Sequence, residues 1–211
     1  MSFTSVPTKP TRLNRSQLFV PGSKPELFDK ACKSNADIIC LDLEDAVAPQ
    51  DKEQAKENVI KALNELDFGK KTISVRINGL DTHYCYRDVV DLMEQGGERL
   101  DLIMIPKVGV AADVYAIDMM VTQIEDKINR SKKIGFELII EISMGITNLD
   151  SILTGSKRIE SLHFGYADYA ASVRMRTTNI GGSNSDYSIL TDETNGAVSY
   201  THLTLPTSVP V

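Results

Sequence analysis

The sequence predicts an α/β fold built on a parallel β-sheet, and two observations carry this prediction. Short apolar runs alternate with amphipathic segments along the chain, and polar residues suited to chemistry follow several of those runs. Consecutive apolar positions are typical of parallel strands covered on both faces, which leaves a closed barrel or an open doubly wound sheet. Only in a barrel do all strand ends converge on one mouth. The spread of polar strand ends therefore favours a TIM (β/α)8 barrel, C-terminally truncated, with about six βα units present.

The strands are predicted where apolar and β-branched residues cluster between turn signals. They are QLFV (17–20), ADIICLDL (36–43), TISVRI (72–77), DLIMIPK (101–107), ELIIEI (137–142) and SLHFG (161–165).

Helices are predicted between the strands, from apolar residues at helical spacing. The first is expected to begin at Ser23, which forms a capping box with Glu26, and to bury Leu27, Phe28 and Ala31. The others are predicted at about 51–66, 82–95, 111–129 and 147–154. The buried stripes of the second and fourth helices are predicted to be Ala55, Val59, Ala62, Leu63 and Leu66, and Val114, Ile117, Val121, Ile124 and Ile128.

The predicted domain layout is an N-terminal extension (1–14), an incomplete TIM-barrel domain (15–190) and a non-native tail (191–211). From Asn195 to Val211 the chain contains no Asp, Glu, Lys or Arg, and it matches no further βα unit. Such a segment looks like a foreign or frame-shifted end. Because a TIM barrel needs about 250 residues as a rule, two strands are expected to be missing.

Composition excludes several classes of function. A net charge of −6 and a pI near 5.1 argue against a nucleic-acid partner, which would call for a basic face. No apolar run approaches the length of about 20 residues that a membrane span needs. The three cysteines are odd in number and lack CxxC spacing, which predicts reduced thiols in a cytoplasmic protein.

Three carboxylates stand almost together in ICLDLEDAVAP (39–49), where Asp42, Glu44 and Asp45 follow an apolar run. Carboxylates this close repel one another unless a cation, an arginine or water takes up their charge. The sequence therefore predicts a positive group beside the end of the second strand.

Six segments together resemble the citrate lyase β-subunit-like branch of the HpcH/HpaI aldolase family, and within it the malyl-CoA/β-methylmalyl-CoA lyases. They are RSQLFVPGSKPELFDKA, DIICLDLEDAVAP, VRINGLDT, IMIPKV, LIIEISMGI and HFGYADYAASVRMRTTNIGG. The resemblance runs from about residue 15 to 187. It implies an oligomeric TIM barrel, expected as a trimer or hexamer at full length, that cleaves or forms a carbon–carbon bond next to a CoA thioester with Mg²⁺ or Mn²⁺. The family pattern continues past residue 187 to a further catalytic aspartate.

Glu141 and Asp168 are the predicted metal ligands, an assignment that also matches the family motif. They follow successive strands, and Mg²⁺ typically takes one or two carboxylates plus water and substrate oxygens. The alternatives are a salt bridge from Glu141 to Lys107 and an N-cap role for Asp168.

Arg76, Glu44 and Asp45 are the predicted catalytic residues. Arg76 is expected to clamp the glyoxylate carboxylate or the emerging oxyanion, or alternatively to form an internal ion pair with Glu44. Glu44 and Asp45 are expected to orient metal-bound water and the arginine. Asp42 is expected to be buried or paired with a lysine, and His163 to be a core histidine with its hydrogen bonds satisfied.

Phe19, Lys24 and Lys30 are the CoA contacts that the resemblance implies, although the family commonly has arginine where this chain has Lys24. Gly165 and the Gly181-Gly182 pair are interpreted as points of close backbone approach or sharp turns. Gly22 lies with Lys24 at the predicted start of the first helix, where free backbone N–H groups and a cation could meet phosphates. The predicted function is Mg²⁺- or Mn²⁺-dependent, reversible cleavage of (S)-malyl-CoA or β-methylmalyl-CoA to glyoxylate and acetyl-CoA or propionyl-CoA. The alternatives are a citryl-CoA lyase, a malyl-CoA thioesterase, or a truncated chain that only binds metal and CoA.

Overall fold

The fold is a parallel sheet flanked by helices, seen in a computed structural model that describes residues 12–175. Each strand pairs in parallel with the next one along the chain, so the sheet order is the sequence order. The strands are β1 (Gln17–Pro21), β2 (Ile38–Asp42), β3 (Thr72–Arg76), β4 (Leu102–Ile105), β5 (Gly135–Ile140) and β6 (Ile159–Phe164). A doubly wound sheet would reverse its strand order, so this topology confirms a TIM-barrel-like architecture.

The helices alternate with the strands, as the sequence predicts. They are α1 (Phe28–Cys32), α2 (Lys52–Glu65), α3 (Cys85–Gln95), α4 (Ala111–Ile128), α5 (Ser143–Thr147), α6 (Leu149–Leu153) and α7 (Tyr166–Ser172). The predicted tail at 191–211 and most of the N-terminal extension lie outside the described residues. None of the helices described within 12–175 is long and apolar enough to cross a membrane.

The hydrophobic core lies between the outer face of the sheet and the helices. Strand side chains such as Ile39, Leu41, Ile73 and Val75 are fully buried against the helical stripes. Each buried aliphatic side chain of this size contributes roughly 1.5–3 kcal/mol. The three cysteines, Cys32, Cys40 and Cys85, are free thiols, as predicted.

The first helix does not begin at Ser23, so the predicted capping box is wrong. The first turn runs from Pro25 to Leu27 as a 3-10 helix, with Lys24 at the N-cap position and no side-chain cap. Proline is favoured at the first helical position because its φ angle is preset and its missing N–H is not needed there. Leu27 is 41% exposed, whereas Phe28 and Ala31 are buried as predicted.

Two further helix predictions are wrong in detail. The predicted helix at 147–154 corresponds to α6, and the short helix α5, which ends just before Asn148, is not among the predicted helices. The Asn148 side chain donates hydrogen bonds to the carbonyls of Met144 and Gly109, which competes with a continuous helix. Ile128 is 36% exposed because α4 ends there, with Asn129 in a left-handed conformation.

A buried ion-pair network joins α4 to the start of β6. The guanidinium of Arg158 is fully buried and lies 2.7 Å from a carboxylate oxygen of Asp118 and 2.7 Å from one of Glu125. It also donates to the Ile134 carbonyl. Breaking a buried ion pair of this kind is costly, because the remaining charge stays out of water.

A second polar cluster lies on the inner face of the sheet, centred on the fully buried Glu137 of β5. Its carboxylate accepts hydrogen bonds from Gln17, Ser74 and Ser161, and lies 3.2 Å from Nε2 of His163. Burial raises the pKa of Glu137, but the hydrogen bonds and the charge of His163 outweigh burial and hold that pKa below its ordinary value. His163 has hydrogen-bond partners, as predicted, but its side chain is 24% exposed among the described residues, so the predicted core position is wrong.

Candidate metal and substrate site at the strand ends

Arg76 and Asp42 form a bidentate pair at the carboxyl ends of β3 and β2. They are register partners in adjacent strands, and Arg76 donates from Nε to Oδ1 (2.7 Å) and from Nη2 to Oδ2 (2.6 Å). Asp42 is 1% exposed, so its predicted burial is confirmed, but its partner is an arginine and not a lysine. Adjacent strand ends place the two side chains side by side, which explains the pairing.

Glu44 and Asp45 face two cations, Arg76 and Lys107. Nη1 of Arg76 lies 2.9 Å from Oε2 of Glu44 and 3.6 Å from Asp45. The Lys107 ammonium donates to Oε1 of Glu44 and lies 3.6 Å from Asp45. The sequence predicts a positive group beside Asp42, Glu44 and Asp45, and Arg76 and Lys107 are that group. The predicted internal ion pair between Arg76 and Glu44 is confirmed.

Glu44 retains an unused acceptor at this site. The residue is 4% exposed, and its Oε2 accepts no hydrogen bond among the described residues. Although Arg76 Nη1 is only 2.9 Å away, its N–H groups are out of line with that oxygen, so the contact is an ion pair only. Burial raises the pKa of Glu44, opposed by Lys107 and Arg76.

Lys107 belongs to the site, although it is absent from the predicted catalytic set. It follows β4 and adopts a left-handed backbone, with φ of 53°. Its backbone N–H donates to Oε1 of Glu141 at 2.9 Å, while its ammonium reaches Glu44. The predicted alternative of a Glu141–Lys107 salt bridge is wrong in its atoms, because the amide, not the ammonium, contacts Glu141.

Glu141 lies directly after β5 and is 3% exposed. Burial, together with the negative charges of Glu44 and Asp168, raises the pKa of Glu141 to about 7, against the opposing effects of the Lys107 amide and ammonium. A buried carboxylate with two acidic neighbours is a position that a divalent cation would stabilise.

Asp168 is the third residue of α7, whose N-cap is Gly165, so the alternative of an N-cap role is wrong. Its charge raises the pKa of both Glu141 and Lys107, and its helix begins after Gly165, which packs against Glu141. Gly165 explains the close approach, since a Cβ there would touch Oε2 of Glu141 and lie 2.5 Å from its Cβ. The interpretation of Gly165 as a point of close approach is therefore confirmed, whereas Gly181 and Gly182 lie outside the described residues.

The residues present fit a hard divalent ion held by two carboxylates. Within residues 12–175, no group of three or more His, Cys, Asp or Glu side chains is arranged to hold a metal. Mg²⁺ does not need such a group, because it usually keeps several waters and takes one or two protein carboxylates. Among residues 12–175, Glu141 is buried and Asp168 raises its pKa, which is the effect that a nearby carboxylate has when no cation lies between the two.

Gly165→Ala is expected to weaken Mg²⁺ binding at least tenfold. The new methyl group would occupy space held by Glu141, so either the carboxylate or the start of α7 must move. Isothermal titration with Mg²⁺ measures the change. Gly69→Ala is the control, since Gly69 has a φ of +58° but no atom within 4 Å of a Cβ. That control should lower stability and leave Mg²⁺ affinity unchanged; equal affinities in all three proteins would contradict the placement of Glu141.

The three predicted CoA contacts lie on the exposed surface near the end of β1. The Phe19 ring is 43% exposed, and the guanidinium carbon of Arg76 lies 5.5 Å from its centre. Lys24 precedes the Pro25 turn, and Lys30 is exposed on α1. Gly22 is packed against the backbone of the next elements, because a Cβ there would lie 3.0 Å from the Asp42 carbonyl. The arrangement leaves Phe19 and the two lysines accessible to a ligand.

Several known proteins are similar to this chain in sequence and in fold. The chain is 57% identical over 192 residues to the L-malyl-CoA/β-methylmalyl-CoA lyase of Cereibacter sphaeroides, covering 91% of this chain and 60% of that protein. The crystal structure of RipC from Yersinia pestis is 30% identical, with a TM-score of 0.56 over 79% of this chain and 64% of that one. CitE from Mycobacterium tuberculosis, solved with magnesium, acetoacetate and coenzyme A, is 23% identical with a TM-score of 0.65, covering 90% of this chain and 62% of that one, and supports the fold alone.

The matches cover most of this chain but only part of its relatives. The chain spans about 60% of the length of the curated lyases that it resembles. The HpcH/HpaI aldolase/citrate lyase family profile matches residues 15–184, which include the carboxylates, the arginine and the lysine of the mouth. The chain therefore belongs to the HpcH/HpaI aldolase/citrate lyase family.

Proposed function

We propose that this chain carries the metal and keto-acid site of a Mg²⁺- or Mn²⁺-dependent lyase that cleaves (S)-malyl-CoA or β-methylmalyl-CoA to glyoxylate and acetyl-CoA or propionyl-CoA. The observation that carries the proposal is the buried Glu141, which accepts a hydrogen bond from the Lys107 amide at the same mouth as Arg76 and whose pKa the charge of Asp168 raises. The relatives named as L-malyl-CoA/β-methylmalyl-CoA lyases, at 55–57% identity, support the choice of substrate.

The reaction breaks the bond between the hydroxyl-bearing carbon and the carbon next to the thioester. The hydroxyl loses its proton and becomes the aldehyde of glyoxylate, while the bonding electrons move onto the thioester carbonyl as an enolate. Protonation of the enolate gives acetyl-CoA, and the reverse sequence is a Claisen-type condensation. A bound divalent ion supplies Lewis-acid stabilisation for the oxygens of the keto acid. Glu141 and Asp168 would hold that ion.

Arg76 is proposed to bind the glyoxylate carboxylate or the developing oxyanion. Its Nε and one Nη2 hydrogen are committed to Asp42, which holds the guanidinium plane fixed. Its Nη1 forms ion pairs but no hydrogen bond among the described residues, so its N–H groups remain available for a substrate oxygen. Glu44 and Asp45 would position both Arg76 and water on the ion.

Phe19, Lys24 and Lys30 are proposed to contact CoA. Phe19 lies over Arg76, so a ligand stacked on that ring would reach the mouth with its thioester end. The two exposed lysines would meet the phosphates as point charges. A homo-oligomer, trimer or hexamer, is proposed for the protein extended to the length of its relatives, and light scattering after size-exclusion chromatography would measure it.

The test uses two proteins: the chain as printed, and the chain continued through the C-terminal region of the Cereibacter sphaeroides relative. Each is incubated with malyl-CoA and Mg²⁺, with EDTA as the metal-free control, and the products are separated. Glyoxylate and acetyl-CoA in the extended protein would support the lyase, whereas malate with free CoA would indicate a thioesterase. Cleavage of citryl-CoA alone would indicate the citryl-CoA alternative. Metal and CoA binding without products in both proteins would contradict the proposal.

A further inference from the structure

Lys107 holds a backbone conformation that lysine rarely adopts. Its φ of 53° lies in the left-handed region, where the Cβ of an L-residue is crowded and glycine is not. Among the described residues, two other non-glycine positions share this feature, Asn129 and Arg174. Asn129 closes α4, a common place for a left-handed residue, but Lys107 lies at the mouth of the sheet. Such outliers tend to cluster at functional sites.

The left-handed turn points the two ends of Lys107 at two different carboxylates. Its amide N–H reaches Oε1 of Glu141 at 2.9 Å, and its ammonium reaches Oε1 of Glu44. The aliphatic stem crosses beside Gly79, where a Cβ would lie 3.9 Å from Cδ of Lys107. One residue therefore connects the proposed metal ligand after β5 to the carboxylates after β2.

The ammonium of Lys107 compensates negative charge that is buried at the mouth. Asp42 and Glu44 are buried, and Arg76 neutralises only part of the negative charge of the group. Without the ammonium, Oε1 of Glu44 would lose its hydrogen-bond donor, and its Oε2 already has none among the described residues. A buried carboxylate without donors shifts toward solvent or toward any nearby cation, including a bound metal.

We propose that Lys107 is a positioning residue with two separable roles: its left-handed backbone aims the amide that orients Glu141, and its ammonium keeps Glu44 beside Arg76 and away from the metal. The inference rests on the proposed role of Glu141 as a metal ligand. The first role governs metal affinity, and the second governs turnover.

The two roles are separated by a pair of substitutions. Lys107→Gly keeps the amide and accepts the same φ freely, but removes the ammonium. Lys107→Ala removes the same ammonium and adds the strain of a Cβ, so its backbone is expected to relax and carry the amide away from Glu141. We expect Mn²⁺ affinity, measured by electron paramagnetic resonance on the full chain without substrate, to stay within threefold of the original in the glycine variant and to fall about tenfold in the alanine variant.

Asn129 supplies the matched control. It has a φ of 52° and an exposed side chain at the end of α4. Asn129→Gly and Asn129→Ala therefore make the same change in backbone strain outside the mouth. Their stabilities should differ, measured by thermal melting, while their Mn²⁺ affinities should match each other. This comparison separates an effect of position from a general effect of strain.

Turnover tests the second role in the extended protein at saturating Mg²⁺. Lys107→Gly is expected to lower kcat at least tenfold with little change in KM, and Lys107→Arg, which keeps the cation, to recover a large part of that loss. Equal Mn²⁺ affinities in the glycine and alanine variants, or an unchanged kcat in the glycine variant, would overturn the inference. A wild-type chain that binds Mn²⁺ while its extended form releases no glyoxylate would contradict the proposed function alone. A chain that binds no Mn²⁺ would contradict both.

Discussion

Glu141→Ala is expected to abolish Mg²⁺ binding and to reduce metal-dependent cleavage of malyl-CoA by about 1,000-fold or more, in line with the several kcal/mol that a Lewis-acid metal contributes. The reason is that Glu141 is the buried member of the proposed ligand pair, and Asp168 alone offers a single carboxylate. Titration calorimetry with Mg²⁺ and an assay for glyoxylate in the extended protein measure the two effects.

The fold should survive this substitution. Glu141 follows β5, and its hydrogen bond among the described residues comes from the Lys107 amide, so its loss removes little of the packing. Glu65→Ala, at the exposed end of α2, is the control for surface charge. A folded Glu141→Ala protein with normal Mg²⁺ affinity and turnover would refute the ligand assignment.

Arg158→Met is expected to lower the free energy of unfolding by about 3–5 kcal/mol, the range found when one partner of a buried ion pair is removed. Methionine can occupy much of the space of the arginine stem, but Asp118 and Glu125 would lose the guanidinium that they share while fully buried. Equilibrium unfolding in urea measures the loss, with the slope showing whether the transition stays cooperative.

The cause of that loss can be checked with a compensating change. Adding Asp118→Asn and Glu125→Gln to Arg158→Met should restore a measurable part of the stability, since the buried charges are then removed. Arg87→Met is the exposed control: Arg87 lies 3.9 Å from Asp91 on the surface of α3, and such a pair is worth at most about 1 kcal/mol. If both arginine variants lost the same small amount, the buried network would not carry the stability assigned to it.

The strands of this fold could be predicted from the sequence because strands that are buried on both faces consist of consecutive apolar residues, as at 38–41 and 102–105. The helix ends were harder to predict. The capping box at Ser23 is wrong because Pro25 sets the start of the turn, and α5 is missing from the prediction because it is only five residues long and ends where Asn148 bonds to the backbone around it. Both errors come from local competition between residues a few positions apart.

The carboxylates and the arginine of the mouth were also predictable, since their residue types and strand-end positions indicate the chemistry. The partner of Asp42 could not be predicted, because it depends on the register that places Asp42 opposite Arg76. The sequence indicates Lys107 as a polar strand-end residue after the fourth strand and as an alternative partner for Glu141, but not as a catalytic residue. Its role depends on a left-handed φ, and no residue type in the segment IPKV indicates such a backbone.

The polar cluster around Glu137 has a consequence for biosynthesis. Gln17, in β1, donates to a carboxylate that lies 120 residues further along the chain. At a synthesis rate of 5–20 residues per second, about 6–24 seconds pass between the synthesis of Gln17 and the synthesis of its acceptor, Glu137. During this interval the inward-facing amide of Gln17 must remain hydrated. The interior of the sheet therefore cannot expel water until the fifth strand has been translated, which makes commitment to the folded state a late event in translation.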